Sequence, residues 1–296
     1  METTKTAIKY SETLTRDEAL LSAGLNWNVS ARPIYDSNGR EIESHKALTR
    51  DDTGKVFTIV SSRYVPFQAS DLLDVTEQFL QTSAAKYARA RSYRDGARIS
   101  ARVAIPDADF EVVPNDRCKA FLDISTSHDG SSAIWIRPLI YRMICKNGLH
   151  VWESDAARSI SCRHVKGARE KLVINAREVL QREIQYFAAF NEKMKALAGR
   201  EMTRIQLDAF LDSLLKIDHE TGPSAREENL KYNLSRLAYQ GTGQDIPGVK
   251  GTAYAAFNAV TEYVTHGRGA DETREYAELY GTGADLRERA FALLTK

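Results

Sequence analysis

KYARARSYRDGARISARV, Lys86 to Val103, is the stretch from which the fold is read. Small residues alternate with Tyr87, Arg89, Arg91 and Tyr93; Asp95-Gly96 follows; a second alternating run carries Arg98, Ser100 and Arg102. Period-two alternation on both sides of an Asp-Gly pair is the signal of a β-hairpin closed by a two-residue turn. With Arg94 set against Ala97, Tyr93 faces Arg98, Arg91 faces Ser100 and Arg89 faces Arg102, and Tyr87 lies beyond them on the same side. The opposite side carries Ala88, Ala90, Ser92, Ile99, Ala101 and Val103, which suit a core. Arg89 directly opposite Arg102 costs stability because like charges repel, and no acid interrupts that side.

The neighbouring segments extend this hairpin into a sheet. Upstream, Trp27 to Tyr35, Arg40 to Arg50 and Lys55 to Arg63 read as strands. The connections Asp36-Ser37-Asn38-Gly39 and Asp51-Asp52-Thr53-Gly54 end in the glycine that such turns favour. A helix follows, with Ser70 as its N-cap, Asp71 and Asp74 in its first turn, and Leu72, Leu73, Val75 and Phe79 facing inward. Downstream, strands near Cys118–Thr126 and Ala133–Ile144 are joined by Ser127-His128-Asp129-Gly130. Pro138 marks a bulge or an edge in the second of them.

From Lys166 the period becomes helical. Val173, Ala176, Leu180, Ile184, Phe187, Phe190, Met194 and Leu197 recur at steps of three and four, the stripe of a helix seam. Shorter helices are predicted at Thr203–Lys216, Ser224–Tyr239, Thr252–His266 and Ala284–Thr295. The fold class is therefore α+β, an antiparallel sheet half followed by a mostly helical half. The expected organisation is an arm over 1–21, a sheet region over 22–165 and a helical region over 166–296 packed on it.

Composition bounds the function. The 296 residues are 43% hydrophobic and 27% charged, values of an ordinary soluble globular protein. The formal charge of +1 conceals a middle segment, residues 86–171, with 16 basic and 10 acidic side chains, enough for a local polyanion-binding patch. METTKTAIKY lacks the apolar core of a signal peptide, and no stretch reaches the roughly 20 apolar residues of a membrane span. With three cysteines and no disulfide pattern, the expectation is a cytoplasmic protein with no membrane partner.

A row of arginines and tyrosines on one ribbon flank suits single-stranded nucleic acid. Arginine forks neutralise phosphates and aromatic rings stack on bases, each stacked base contributing about 1–3 kcal/mol. In Ala133–Ile144, Trp135, Arg137 and Tyr141 share one parity, with Ile134, Ile136 and Ile140 on the other. The candidate contacts are Arg89, Arg91, Arg98, Arg102 and Arg137 for phosphates, and Tyr87, Tyr93, Trp135 and Tyr141 for bases. The competing explanation is that these arginines solvate an exposed sheet face or are covered by the acidic helical half.

Other chemistry finds weaker footing. Cys145, His150, Cys162 and His164 lack the tight CxxC pairs of zinc knuckles, so no metal is assigned. His128-Asp129 invites a general-base reading, but adjacent strand residues point apart and a turn explains the pair. No GxxxxGK[ST] run or Rossmann glycine fingerprint occurs, and Gly241-Thr242-Gly243 and Gly281-Thr282-Gly283 read as connectors. No catalytic residue and no cofactor is assigned.

Four motifs carry a resemblance. They are Gly24-Leu25-Asn26-Trp27; Arg63-Tyr64-Val65-Pro66-Phe67-Gln68; Ser127 through Ser132 with Arg142-Met143-Ile144-Cys145-Lys146-Asn147-Gly148-Leu149; and Gly251 through Tyr263. Together they resemble the phage/plasmid-like family that carries the domain of unknown function numbered 932. Ala253-Tyr254 departs from its pattern, which has a larger apolar residue and a tryptophan there. The resemblance implies the setting of a mobile element and supplies no activity, cofactor or catalytic residue. The order of meander then helix is also loosely similar to single-strand annealing proteins, an analogy of fold alone.

These readings converge on sequence-independent binding of single-stranded DNA in replication, recombination or transcription. A homo-oligomer is expected, with host or phage replication or transcription proteins as further partners. Two alternatives stand beside it. One is a phage-encoded interaction protein that turns the same arginines on an acidic surface of a host enzyme. The other is a metal-dependent nuclease, whose carboxylate cluster the sequence does not assemble.

Overall fold

A computed structural model describes residues 15–82, 85–151, 160–218, 220–267 and 271–296. The meander expected upstream of the hairpin is present as β1 (Val29–Tyr35), β2 (Glu41–Arg50) and β3 (Val56–Ser61) in the order β1-β2-β3. All pairings are antiparallel, with Ala31 against Leu48 and Leu48 against Thr58. Gly39 and Gly54 close the two connections at φ of +76° and +72°, a conformation that glycine adopts without steric cost. A short α1 (Arg16–Ser22) precedes the meander, and Thr15 and Glu18 close its capping box reciprocally.

After α2 (Ala69–Thr82), the hairpin β4 (Lys86–Tyr93) and β5 (Arg98–Ala104) opens a second antiparallel sheet. Its other strands are β6 (Phe110–Glu111), β7 (Arg117–Ser127), β8 (Ile134–Arg142), β9 (Asn147–Gly148) and β10 (Ile160–Cys162). The order is β10-β8-β7-β5-β4, with β6 on β7 and β9 on β8. β8 meets β10 at Ile134–Ile136 and β9 at Tyr141–Arg142, so Pro138 lies between the two pairings. Helices follow as α3 (Ala168–Ile174), α4 (Ala176–Ala198), α5 (Arg204–Leu215), α6 (Ala225–Gln240), α7 (Ala253–His266), α8 (Asp271–Tyr280) and α9 (Thr282–Leu294). The α+β class with antiparallel sheets early and helices mostly late is the observed one.

The chain divides into two units, each assembled from three stretches. Met1–Ile105, Phe121–Arg137 and Ser159–Arg182 form the first; Pro106–Ala120, Pro138–Arg158 and Glu183–Lys296 form the second. In the first unit α2 packs on β5. Leu72, Leu73, Val75 and Phe79 are buried on the helix, and Ile99, Ala101 and Val103 on the strand. Each large apolar side chain so buried contributes about 1.5–3 kcal/mol. In the second unit α7 is buried nearly all round, from Ala253 through Thr261, and α6, α8 and α9 pack on it. A helix apolar on every side has to be the centre of its bundle.

Three sequence readings are revised. The α2 helix begins at Ala69, and Asp71 Oδ2 accepts from the Gln68 N–H at 2.9 Å, so Gln68 rather than Ser70 holds the capping position. The long apolar stripe from Val173 is two helices, because Asn175 terminates α3 and α4 starts at Ala176. α8 had no sequence counterpart: DETREYAELY is polar enough to hide the one face that buries Glu278 and Leu279.

Candidate nucleic-acid interface

The hairpin has the register its sequence demands. Tyr93 faces Arg98, Arg91 faces Ser100 and Arg89 faces Arg102. Asp95 and Gly96 carry φ of +55° and +87°, and the Ala97 N–H donates to the Arg94 carbonyl at 3.3 Å. Positive φ at both central residues is what lets a tight turn follow the strand twist. One position departs. A register shift between Tyr87 and Arg89 sets Tyr87 against Val103, and that extra residue turns the ring to the side packed on α2. There the phenol is buried, and desolvation, with Glu77 nearby, pushes its pKa upward. Tyr87 therefore leaves the basic flank.

The rest of the flank is graded in depth. Tyr93, Arg98 and Arg102 are 1%, 8% and 5% exposed, whereas Arg89 and Arg91 are half-buried. β5 pairs with β7 so that Arg102 faces Asp123 and Arg98 faces Ser127. Arg102 Nε donates to Asp123 Oδ1 at 3.2 Å, and that carboxylate is itself fully buried. Arg89, Arg102 and Asp123 thus form a row across three strands, in which the acid offsets the repulsion between the two arginines. Arg98 lies near Asp129, whose carboxyl is raised by burial. Bonds from Ser131 and Ser127, with the charge of Arg98, outweigh that effect and hold it below its ordinary value.

On β8 the alternation is equally plain: Ile134 and Ile136 are buried, and Trp135 and Arg137 are half-buried on the other side. The Arg137 guanidinium lies 4.3 Å from the centroid of the Trp135 ring, a cation–π stack. Tyr141, further along β8, belongs to the second unit and is buried with its ring 5.7 Å from that of His150.

Sequence motifs that looked separate meet at one buried point of the first unit. His128 is 1% exposed; its Nδ1 is 2.9 Å from the Gly96 carbonyl oxygen and its Nε2 is 3.1 Å from that of Phe67. Trp27 and Phe57 flank the imidazole at 5.5 and 5.6 Å, and the Arg50 guanidinium lies 4.3 Å over the Trp27 ring. A Cβ on Gly96 would come 2.5 Å from Trp27 Cζ2, so that position needs the absence of a side chain as well as the φ. Gln68 clips the meander by donating to the Val29 carbonyl and accepting from its N–H, both at 2.9 Å. Burial pushes the His128 pKa down against the pull of the two carbonyls. His164, stacked on Tyr64 at 4.6 Å, is pushed down by burial to about 4. These histidines brace loops. His164 Nε2 lies 3.2 Å from both the Thr126 hydroxyl and the Ser132 carbonyl oxygen.

The second unit has a comparable knot. Arg142 is fully buried, and its Nε donates to Asp116 at 2.7 and 3.0 Å. Its remaining nitrogens donate to the carbonyls of Thr242 at 3.1 Å and Gly243 at 2.9 Å. Tyr254 lies under the guanidinium at 5.5 Å. His266 Nε2 is 2.8 Å from the Cys145 carbonyl oxygen, and the Gly148 N–H donates to Thr265 Oγ1 at 3.2 Å. The Arg142–Leu149 motif, the Gly241-Thr242-Gly243 connector and α7 are therefore one assembly, a link that sequence spacing gave no sign of. Of the soft ligands, Cys145 and His150 fall in the second unit, and Cys162 and His164 in the first. Among the described residues no group of three or more His, Cys, Asp or Glu side chains has metal-binding geometry.

Comparison with known proteins gives a match to a family. The family described as "Domain of unknown function (DUF932)" covers residues 56–286, a span that takes in every motif above except that ending at Trp27. No curated protein and no solved structure matches. Among the described residues no helix is long and apolar enough to cross a membrane.

Proposed function

The chain belongs to the DUF932 family, and on that footing we propose that it binds single-stranded DNA, without a demand for a defined sequence, in the replication, recombination or transcription of a mobile element. The observation that carries the reading is the half-exposed Trp135–Arg137 stack on β8, to which the half-buried Arg89 and Arg91 of β4 add further cations. A ring presented at the surface offers a base a stacking partner, and the guanidinium over it offers a phosphate a charge-assisted donor. Tyr93, Arg98 and Arg102 are enclosed, and in this proposal they hold the outer residues in register and leave the contacts to Arg89, Arg91, Trp135 and Arg137.

The test is a fluorescence-anisotropy titration of a labelled single-stranded oligonucleotide into wild type, Trp135→Ala and Arg89→Ala/Arg91→Ala. Both variants should bind at least about fivefold more weakly, as loss of about 1–3 kcal/mol of stacking or of two phosphate contacts requires. Equal affinity across the three proteins, or no binding by wild type, would overturn the proposal.

A further inference from the structure

We infer that the row formed by Arg91, Ser100 and Ser125 in the first unit seats the terminal phosphate of a strand end, so that single strands bearing an end phosphate bind more tightly than those without one. The inference deepens the single-strand reading and rests on it.

Strand register lays out nine positions on one side of β4, β5 and β7. Arg91 faces Ser100, and Ser100 faces Ser125. The row on one flank is Arg89, Arg102 and Asp123; the row on the other is Tyr93, Arg98 and Ser127. Directly opposed residues share a side, as do residues two apart along a strand. Along β5 the two arginines stand four residues apart, about 13 Å, with only the short Ser100 side chain between them.

Two observations make this row a binding site. The first is Ser125, which is 1% exposed and whose hydroxyl has no hydrogen-bond partner among the described residues. Enclosing a donor without an acceptor is unfavourable, and an acceptor oxygen brought in from outside the chain removes that cost. The second is the sign of the charge. The nine positions hold four arginines and one carboxylate. Arg102 donates to Asp123 at 3.2 Å, and Arg98 lies near Asp129, so these two lend the site their field and leave the contacts to others. Arg91 lies on the outer strand β4 and is half-buried, where its planar fork can donate two parallel bonds to a phosphate.

Enclosure selects the kind of phosphate. An internal phosphodiester has chain on both sides, which keeps its oxygens away from a hydroxyl as enclosed as that of Ser125. A terminal phosphate ends the chain, carries about −1.5 to −2 charges and offers three acceptor oxygens.

The experiment measures, by fluorescence anisotropy, the affinity of one internally labelled oligonucleotide in 5′-phosphorylated, 3′-phosphorylated and unphosphorylated forms for wild type and Ser125→Ala. Wild type should hold a phosphorylated form about tenfold more tightly than the unphosphorylated one, the size of one charge-assisted hydrogen bond, and the form that gains identifies the end that is seated. Ser125→Ala should bring that ratio within about threefold. Its melting temperature should stay at or above that of wild type, because the hydroxyl makes no hydrogen bond to the described residues. Equal wild-type affinities for the three forms, a ratio unchanged by Ser125→Ala, or a lowered melting temperature of that variant would overturn the inference while leaving the stacking site in place. Failure of every form to bind would remove both.

Discussion

Replacing Asp116 by alanine probes a fully enclosed charge in the second unit. Arg142 and Asp116 are both fully buried, and the Arg142 Nε reaches both carboxylate oxygens, at 2.7 and 3.0 Å. Removing the carboxylate leaves a buried guanidinium with neutral partners, the carbonyls of Thr242 and Gly243, the Cys145 sulfur and the Tyr254 ring. Breaking a buried pair from one side costs about 3–5 kcal/mol, a large part of the roughly 5–15 kcal/mol that holds a domain folded. With a urea dependence of about 2 kcal/mol per molar, the midpoint should fall by about 2 M, followed by far-UV circular dichroism because this unit is mainly helical. Asp116→Leu/Arg142→Met removes both charges and should recover part of the loss. A deficit of about 1–3 kcal/mol remains for the two carbonyl bonds that only arginine makes. A single variant that costs less than about 1 kcal/mol, or a double variant no better than the single, would refute the assignment of this pair as the clasp of the knot.

Three further outcomes follow from the same geometry. Gly96→Ala places a methyl group against the Trp27 ring at a φ of +87°, so stability should fall by about 2–4 kcal/mol; an unchanged melting temperature by tryptophan fluorescence would contradict the packing described. His164 is pushed down by burial to about 4, whereas an unfolded histidine titrates near 6.5. The unfolded chain therefore takes up the proton first as pH falls. Stability present above about 6.5 should decline by about 3 kcal/mol on the way to pH 4, and His164→Gln should flatten that slope in urea titrations at stepped pH. Ser224 caps α6, accepting from the Glu227 N–H while Glu227 reaches back to the Ser224 N–H at 2.8 Å; Ser224→Ala should cost about 1 kcal/mol in thermal unfolding.

What could be read from sequence was local. Asp95-Gly96 and the alternation around it specify turn, pairing and register within eighteen residues, and the hairpin follows them almost to its end. It fails at Tyr87, because one extra residue among alanines leaves no trace in an alternation of small side chains. The pairing of Arg102 with Asp123 depends on which strand lies beside β5, and the intervening chain does not encode that neighbour by period. The same holds for the burial of Tyr93 and Arg98: an arginine on a strand reads alike whether water or protein lies over it. Trp135 and Arg137 were legible as a shared parity, but their stacking was not. The motifs at Trp27, Phe67 and His128, far apart in the sequence, are three sides of one packed corner.

Salt dependence tests the central claim most directly, because it counts phosphate contacts without presuming their positions. Affinity of the wild-type protein for a single-stranded oligonucleotide, measured across a series of salt concentrations, should fall with a log–log slope of about −2, roughly −0.7 for each of Arg89, Arg91 and Arg137. Arg137→Ala should make that slope shallower by about 0.7. A slope near zero, or one that Arg137→Ala leaves untouched, would contradict the account.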